Sequence, residues 1–178
     1  VSTCGIVPNM RKLAKEHLQI TLALSLHGST QEKRKVLMPI ANKYELPEVL
    51  EACDYYFEKT GRRISFEYAL VGGVNDTDED ASELIRLVKP LNCHVNLIPV
   101  NNVRETEYIK SSVERQKKFI DILASRGITA TVRRTLGSDI NFLRNQRYIF
   151  DAILCFAQRY SLRELINIIS LRSNIVFV

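Results

Sequence analysis

Several short apolar runs in this chain end in polar side chains, and chemistry would be done at those ends. Ser2 opens Ser2-Thr3-Cys4-Gly5, Leu22-Ala23-Leu24 runs into Ser25-Leu26-His27, and Val95-Asn96-Leu97-Ile98-Pro99-Val100 runs into Asn101-Asn102. Ser2 and Ser25 offer hydroxyls that hydrogen-bond a ligand or, as serines often do, cap a turn. His27 offers a ring nitrogen to a cofactor or to a proton in transit, although a lone histidine at a loop start is more often a surface or internally satisfied residue. Asn101 can both donate to and accept from a ligand amide or carboxylate; its bland role is turn formation beside Pro99. Glu67 lies inside an apolar run, where a carboxylate needs a partner, a polar cavity or a solvated sheet position. Arg133 and Arg134 close the run 129–132. Adjacent strand residues point to opposite faces, so one arginine addresses a cleft and the other pairs outside it.

Helical patterns separate these runs, the signature of βαβ units on a parallel sheet, in which groups just past the strand C-termini face the ligand crevice. Asn9 is positioned to cap a short helix through Leu13 and His17, and a strand follows over 19–24. A basic connection over 31–43, containing Lys33-Arg34-Lys35, precedes Pro47 at the first turn of a helix. That helix buries Val49, Ala52, Cys53, Tyr56 and Phe57, and Gly61 stops it before a strand over 64–71. After the loop Gly72-Gly73-Val74-Asn75-Asp76, Thr77 and Asp80 form an N-cap pair for a helix burying Ala81, Leu84, Ile85 and Val88. A strand over 94–100 follows, then Ser111 and Glu114 as a capping box, with Phe119, Ile120 and Leu123 facing inward until Gly127. The expected fold class is α/β, a partial (β/α) barrel with no internal repeat.

The composition permits one ordinary domain: 46% hydrophobic and 25% charged residues exclude a disordered chain. A net charge of +5 is compatible with a polyanionic partner but does not single one out. The four cysteines, Cys4, Cys53, Cys93 and Cys155, are dispersed with no C-x-x-C, so no local zinc or iron–sulfur ligand set is expected. No apolar run is long enough to span a bilayer, and a reducing cytoplasm is the expected compartment. The abrupt start on Val1 reads as a fragment lacking its N-terminal part. The character changes near Asn141; 148–156 is apolar almost all round, so residues 1–140 are expected to form the barrel portion and 141–178 a divergent, helical tail.

Taken as a series, these segments resemble the radical S-adenosylmethionine RNA methyltransferases that methylate adenine C2 in 23S ribosomal RNA. The matching stretches include Val1-Ser2-Thr3-Cys4-Gly5-Ile6-Val7-Pro8, Ala23-Leu24-Ser25-Leu26-His27, Pro39-Ile40 with Tyr44, Phe66-Glu67-Tyr68 and Gly73-Val74-Asn75-Asp76. They continue through Asn96-Leu97-Ile98-Pro99-Val100-Asn101 and Val132-Arg133-Arg134-Thr135 to Gly137-Ser138-Asp139-Ile140. The resemblance implies a barrel of the radical S-adenosylmethionine type. It implies that Ser2, Ser25, Leu26, His27 and Asn101 bind S-adenosylmethionine, and that a [4Fe–4S] cluster serves the full-length family. It also implies 23S rRNA, and tRNA in the dual-specificity type, as substrates, with an electron donor for the cluster. In that family a cysteine carries the methyl group and a second cysteine helps release the product by forming a disulfide; the cofactor carries the radical chemistry.

The sequence departs from the family pattern in two places. The C-x-x-x-C-x-x-C cluster motif is absent from these residues, and Asn141-Phe142-Leu143-Arg144 places Arg144 where the methyl-carrying cysteine is expected. Cys155 lies too far along to replace it, so no catalytic or metal-binding residue is assigned. The expectation is a methyltransferase fragment that is inactive as an isolated chain. Two other classes remain open: a non-catalytic RNA-binding or accessory module using Lys33, Arg34, Lys35, Arg133 and Arg134, or an unrelated barrel enzyme using Glu67 or His27. An open half barrel is also expected to self-associate through exposed strand edges.

Overall fold

The computed structural model describes residues 1–16, 18–100 and 108–133. Strands β1 (Ser2–Thr3), β2 (Leu22–Ser25), β3 (Ile64–Gly72), β4 (Cys93–Pro99) and β6 (Ala130–Val132) form a parallel sheet in the order β1-β2-β3-β4-β6. A two-residue strand, β5 (Ile109–Lys110), pairs antiparallel with the end of β3. Each strand lies beside the next parallel one, so the chain winds in one direction, as in a (β/α) barrel. Helices α1 (Val7–Lys15), α3 (Leu46–Thr60), α4 (Asp78–Val88) and α5 (Val113–Ser125) connect them.

Strand alternation decides which face the helices cover. Leu22, Leu24, Ile64, Phe66, Tyr68, Val95 and Leu97 form one core with Met10 and Leu13 of α1, Val49 and Tyr56 of α3, Leu84 and Val88 of α4, and Phe119 and Leu123 of α5. The opposite face carries Ser2, Ser25, Ser65, Glu67, His94, Asn96 and Thr131, all partly or fully exposed. All four helices therefore lie on the apolar side, leaving a polar sheet face open.

Most of the expected elements are present, with shifted boundaries. Asn9 lies inside α1: Pro8 occupies its first turn and Ile6 is the N-cap residue, an arrangement favoured because proline lacks the N–H that the first turn cannot use. The second strand starts at Leu22 because the carbonyls before it are taken by other groups. Tyr56 Oη donates to Ile20 O at 2.9 Å and the Val1 ammonium to Thr21 O at 3.0 Å. The basic connection over 31–43 contains α2 (Gln31–Leu37), capped by the Thr30 side chain, and a 3₁₀ turn (Pro39–Asn42). Helix α5 is capped by Ser112, whose Oγ accepts Arg115 N–H at 3.2 Å, so the cap falls one residue after the expected Ser111 and, with Arg115 in the third helical position, is a single side-chain cap in place of the expected box. Ser111 is buried instead, donating to Asp76 Oδ2 at 2.7 Å.

The Thr77–Asp80 pair is a complete capping box at α4. Gly61 and Gly127 adopt positive φ (65° and 78°) where α3 and α5 end, a conformation glycine enters without steric cost. The tail expected over 141–178, with Arg144 and Cys155, lies outside the described residues, as do Asn101 and Arg134.

Candidate functional site

Parallel register aligns the polar residues of the open face into rows. Ser2, Ala23, Ser65 and His94 are successive register partners across β1 to β4. One step nearer the strand C-termini, Ser25, Glu67, Asn96 and Thr131 form a second row. Register partners in a sheet share a face, so the second row presents a hydroxyl, a carboxylate, an amide and a hydroxyl side by side. Arg133 follows two residues after Thr131 and is exposed. Glu67 Oε2 accepts Asn96 Nδ2–H at 2.8 Å, and Oε1 meets the Ser65 hydroxyl at 3.4 Å. Burial raises the Glu67 carboxyl above its ordinary value, while the hydrogen bonds from Asn96 and Ser65 and the charge of Arg133 oppose that rise.

Beyond Ser25, strand β2 ends while β3 runs on, and the groups freed on β3 are taken over by a turn and two side chains. The Glu67 carbonyl accepts both Leu26 N–H (2.9 Å) and His27 N–H (3.3 Å). Next along the same edge, Ala69 N–H donates to His27 Nδ1 at 3.0 Å, and Ala69 O accepts from Asn75 Nδ2 at 2.7 Å. Val71 N–H then donates to Asn75 Oδ1 at 2.7 Å. The Asn75 amide thus imitates the peptide unit that a longer β2 would have supplied. Its second Nδ2 hydrogen reaches back to His27 O at 2.8 Å, and Tyr68 Oη donates to Asn75 O at 2.9 Å. Asn75 is fully buried.

These contacts define the state of His27. A backbone N–H can only donate, so Nδ1 is the acceptor and the neutral ring carries its proton on Nε2. Nε2 is buried without a partner among the described residues. Burial, and then the charge of Arg34, push the imidazole down to about 4. His27 is 3% exposed and holds a left-handed φ of 55°, strain that persists where surrounding contacts over-determine the backbone. The ring is therefore a fixed, neutral donor at neutral pH, which does not suit it to shuttle protons.

The Lys33-Arg34-Lys35 run does not form a continuous basic surface. Lys33 Nζ pairs with buried Asp80 Oδ1 at 2.6 Å, Arg34 is fully buried, and Lys35 is exposed. Burial alone would raise Asp80; hydrogen bonds from Lys33, Thr77 and Ser29 outweigh it and hold the carboxyl below its usual range. Arg34 Nη2 donates to Cys4 O at 2.7 Å, and its Nε and Nη1 are buried without partners among the described residues. Helix α2 approaches so closely that a Cβ on Gly28 would lie 2.5 Å from Arg34 N.

Cys4, Cys53 and Cys93 are free thiols; burial raises all three, Cys53 to about 12 and Cys93 to about 11. None is poised as the thiolate that nucleophilic or ligand chemistry needs. Among the described residues no group of three or more His, Cys, Asp or Glu side chains could hold a metal ion. They do not fit an iron–sulfur cluster, whereas the polar rows and the unpartnered His27 donor fit an organic ligand with several polar groups.

Of the residues singled out by sequence, the structure brings Ser2, Ser25 and Glu67 onto the sheet's open side; His27 is buried in the turn after β2, and the Leu26 side chain joins the core on the helix side. Sequence reasoning missed Asn75, read as part of a turn, and Asn96, Ser65 and Thr131. The polar alternation within Val95-Asn96-Leu97 was the available signal for Asn96.

Comparison with known proteins shows what the chain is similar to. No family model matches the chain. It is 58% identical over 141 residues to a probable dual-specificity RNA methyltransferase RlmN of Clostridium perfringens strain 13, covering 79% of this chain and 41% of the relative. Its counterpart in Lachnoclostridium phytofermentans is 59% identical over 141 residues, with 40% of the relative covered. The chain thus spans about two fifths of the length of these relatives. Among solved structures, a radical SAM methyltransferase from Sphaerobacter thermophilus superposes with a TM-score of 0.76 at 48% identity, over 79% of this chain and 41% of that one. A domain of pyruvate-formate lyase-activating enzyme from Bacteroides vulgatus shares the fold alone, with a TM-score of 0.59 at 16% identity over 74% of this chain and 80% of that one.

Proposed function

We propose that this chain, which belongs to the radical S-adenosylmethionine RNA methyltransferase family and spans part of it, supplies one side of the S-adenosylmethionine pocket. In the whole protein that pocket serves methylation of adenine C2 in 23S rRNA, and of tRNA in the dual-specificity type. A [4Fe–4S] cluster, its electron donor and the methyl-carrying cysteine would come from outside the described residues. Bound S-adenosylmethionine supplies the methyl group and, with the cluster, the radical chemistry.

This chain's own residues bind and orient. Ser2 and Ser25 offer hydroxyls from adjacent strands, and the Ser25-Leu26-His27 turn offers its fixed edge; Asn101, outside the described residues, is the further contact the resemblance implies. His27 donates from Nε2 and stays neutral, and the apolar core behind the sheet keeps water from that side. The division read from the sequence, residues 1–140 as the barrel portion and 141–178 as a tail, is part of this proposal. A cytoplasmic setting belongs to the same proposal; among the described residues no helix is long and apolar enough to cross a membrane. As an isolated chain the protein binds the cofactor without transferring a methyl group.

The observation that carries this reading is the row Ser25–Glu67–Asn96–Thr131 on the open face, directly beside the turn anchored on the Glu67 carbonyl. Isothermal titration of the chain with S-adenosylmethionine tests it. Saturable binding that Ser25→Val weakens about tenfold, the cost of losing one good hydrogen bond to the ligand, is expected. Absence of binding, or binding indifferent to Ser25, refutes it.

A further inference from the structure

Among the described residues the open face of the sheet carries one carboxylate, Glu67, and its position is tied closely to the candidate ligand turn. Its carbonyl holds Leu26 N–H and His27 N–H, and its side chain is the register neighbour of Ser25. Asn96 secures Oε2 at 2.8 Å. Among the described residues Oε1 has only the long 3.4 Å contact with Ser65, and a carboxylate oxygen has two lone pairs to fill. No described cation lies within ion-pairing distance of it. His94, in the adjoining row, is lowered by burial and then by the Arg63 charge, so it does not neutralise Glu67; the Arg133 charge favours the carboxylate from a distance without forming an ion pair with it. A partly desolvated charge in mid-strand is costly unless something offsets it.

We propose that Glu67 is the counter-charge for the sulfonium centre of S-adenosylmethionine, so that this pocket selects the sulfonium over its neutral thioether counterpart, S-adenosylhomocysteine. A sulfonium donates no conventional hydrogen bond. It is recognised by negative potential, and a carboxylate with one open oxygen provides that. Asn96 is the positioning residue, holding the carboxylate plane so that Oε1 faces the ligand side. The proposal rests on the cofactor assignment above and adds which chemical feature of the ligand is discriminated, and by which residue.

The test compares the dissociation constants of S-adenosylmethionine and S-adenosylhomocysteine for the full chain and for Glu67→Gln, which keeps shape and hydrogen bonding but removes charge. Both ligands carry the same ammonium, carboxylate and adenosine, so the ratio of the two constants isolates the sulfonium. Glu67→Gln is expected to weaken the sulfonium ligand about tenfold or more and leave the thioether within about twofold. Glu67→Asp, retaining the charge one methylene further back, keeps part of the preference and serves if the glutamine variant does not fold. Equal weakening of both ligands, or an unchanged ratio, overturns the proposal while leaving the pocket assignment standing. A wild-type chain that binds neither ligand overturns both.

Discussion

Replacing Asn75 with alanine removes a side chain that stands in for a missing strand residue, and its cost follows from the hydrogen bonds it leaves behind. Three bonds of 2.7–2.8 Å are lost, to His27 O, Ala69 O and Val71 N. All three groups lie in buried residues, and each orphaned buried group costs about 1–3 kcal/mol. The plain sum is about 3–9 kcal/mol; local relaxation and water entry bring the expectation to roughly 3–6 kcal/mol, a large share of a typical domain's 5–15 kcal/mol. Urea unfolding followed by circular dichroism, with linear extrapolation, measures it. Amide hydrogen exchange localises it, with protection falling first at Ala69 and Val71. Asn75→Asp keeps the acceptor for Val71 N–H but turns a carboxylate oxygen toward two carbonyls, so it is expected to destabilise comparably near neutral pH. A loss below about 1 kcal/mol for Asn75→Ala, with Val71 protection unchanged, would refute the ladder argument.

The remaining expectations concern the same turn and its supports. His27 is lowered to about 4 in the folded chain against about 6.5 unfolded, so the unfolded state binds more protons between those values. The stability this contributes is complete above about pH 6.5 and is lost as pH falls toward 4. Its size is about 3 kcal/mol, and a His27→Gln variant should lack that part of the acid loss when the two pH profiles are subtracted. Gly28→Ala drives a Cβ to 2.5 Å from Arg34 N and should abolish or strongly reduce cooperative folding; a melting temperature within a few degrees of wild type would contradict the close approach. Thr77→Ala removes half of the capping box on α4 and should cost about 1 kcal/mol in the same urea assay. In the described sheet β1 pairs on one side only, so sedimentation should show concentration-dependent self-association; a monodisperse monomer at all concentrations would count against an open edge.

The order of elements, the parallel sheet and the apolar helix faces were readable because they depend on local periodicity. Strand residues alternate, helix residues recur every three or four, and Thr77 with Asp80 or a glycine at Gly61 punctuates the chain regardless of its distant neighbours. The family resemblance was readable for a related reason, since runs such as Ala23-Leu24-Ser25-Leu26-His27 keep their local order. What the sequence could not determine was which groups would meet from afar. Asn75 reaches His27 across 48 positions, Lys33 reaches Asp80 across 47 and Ser111 reaches Asp76 across 35. Each is polar and sits in a segment that, on its own, reads as a turn, a solvated face or a cap. Their roles were decided when β2 stopped short beside β3 and left backbone groups that buried side chains had to satisfy. Register did the rest, turning Ser25, Glu67, Asn96 and Thr131 from scattered polar residues into one row, because neighbouring parallel strands share a face only once their pairing is set.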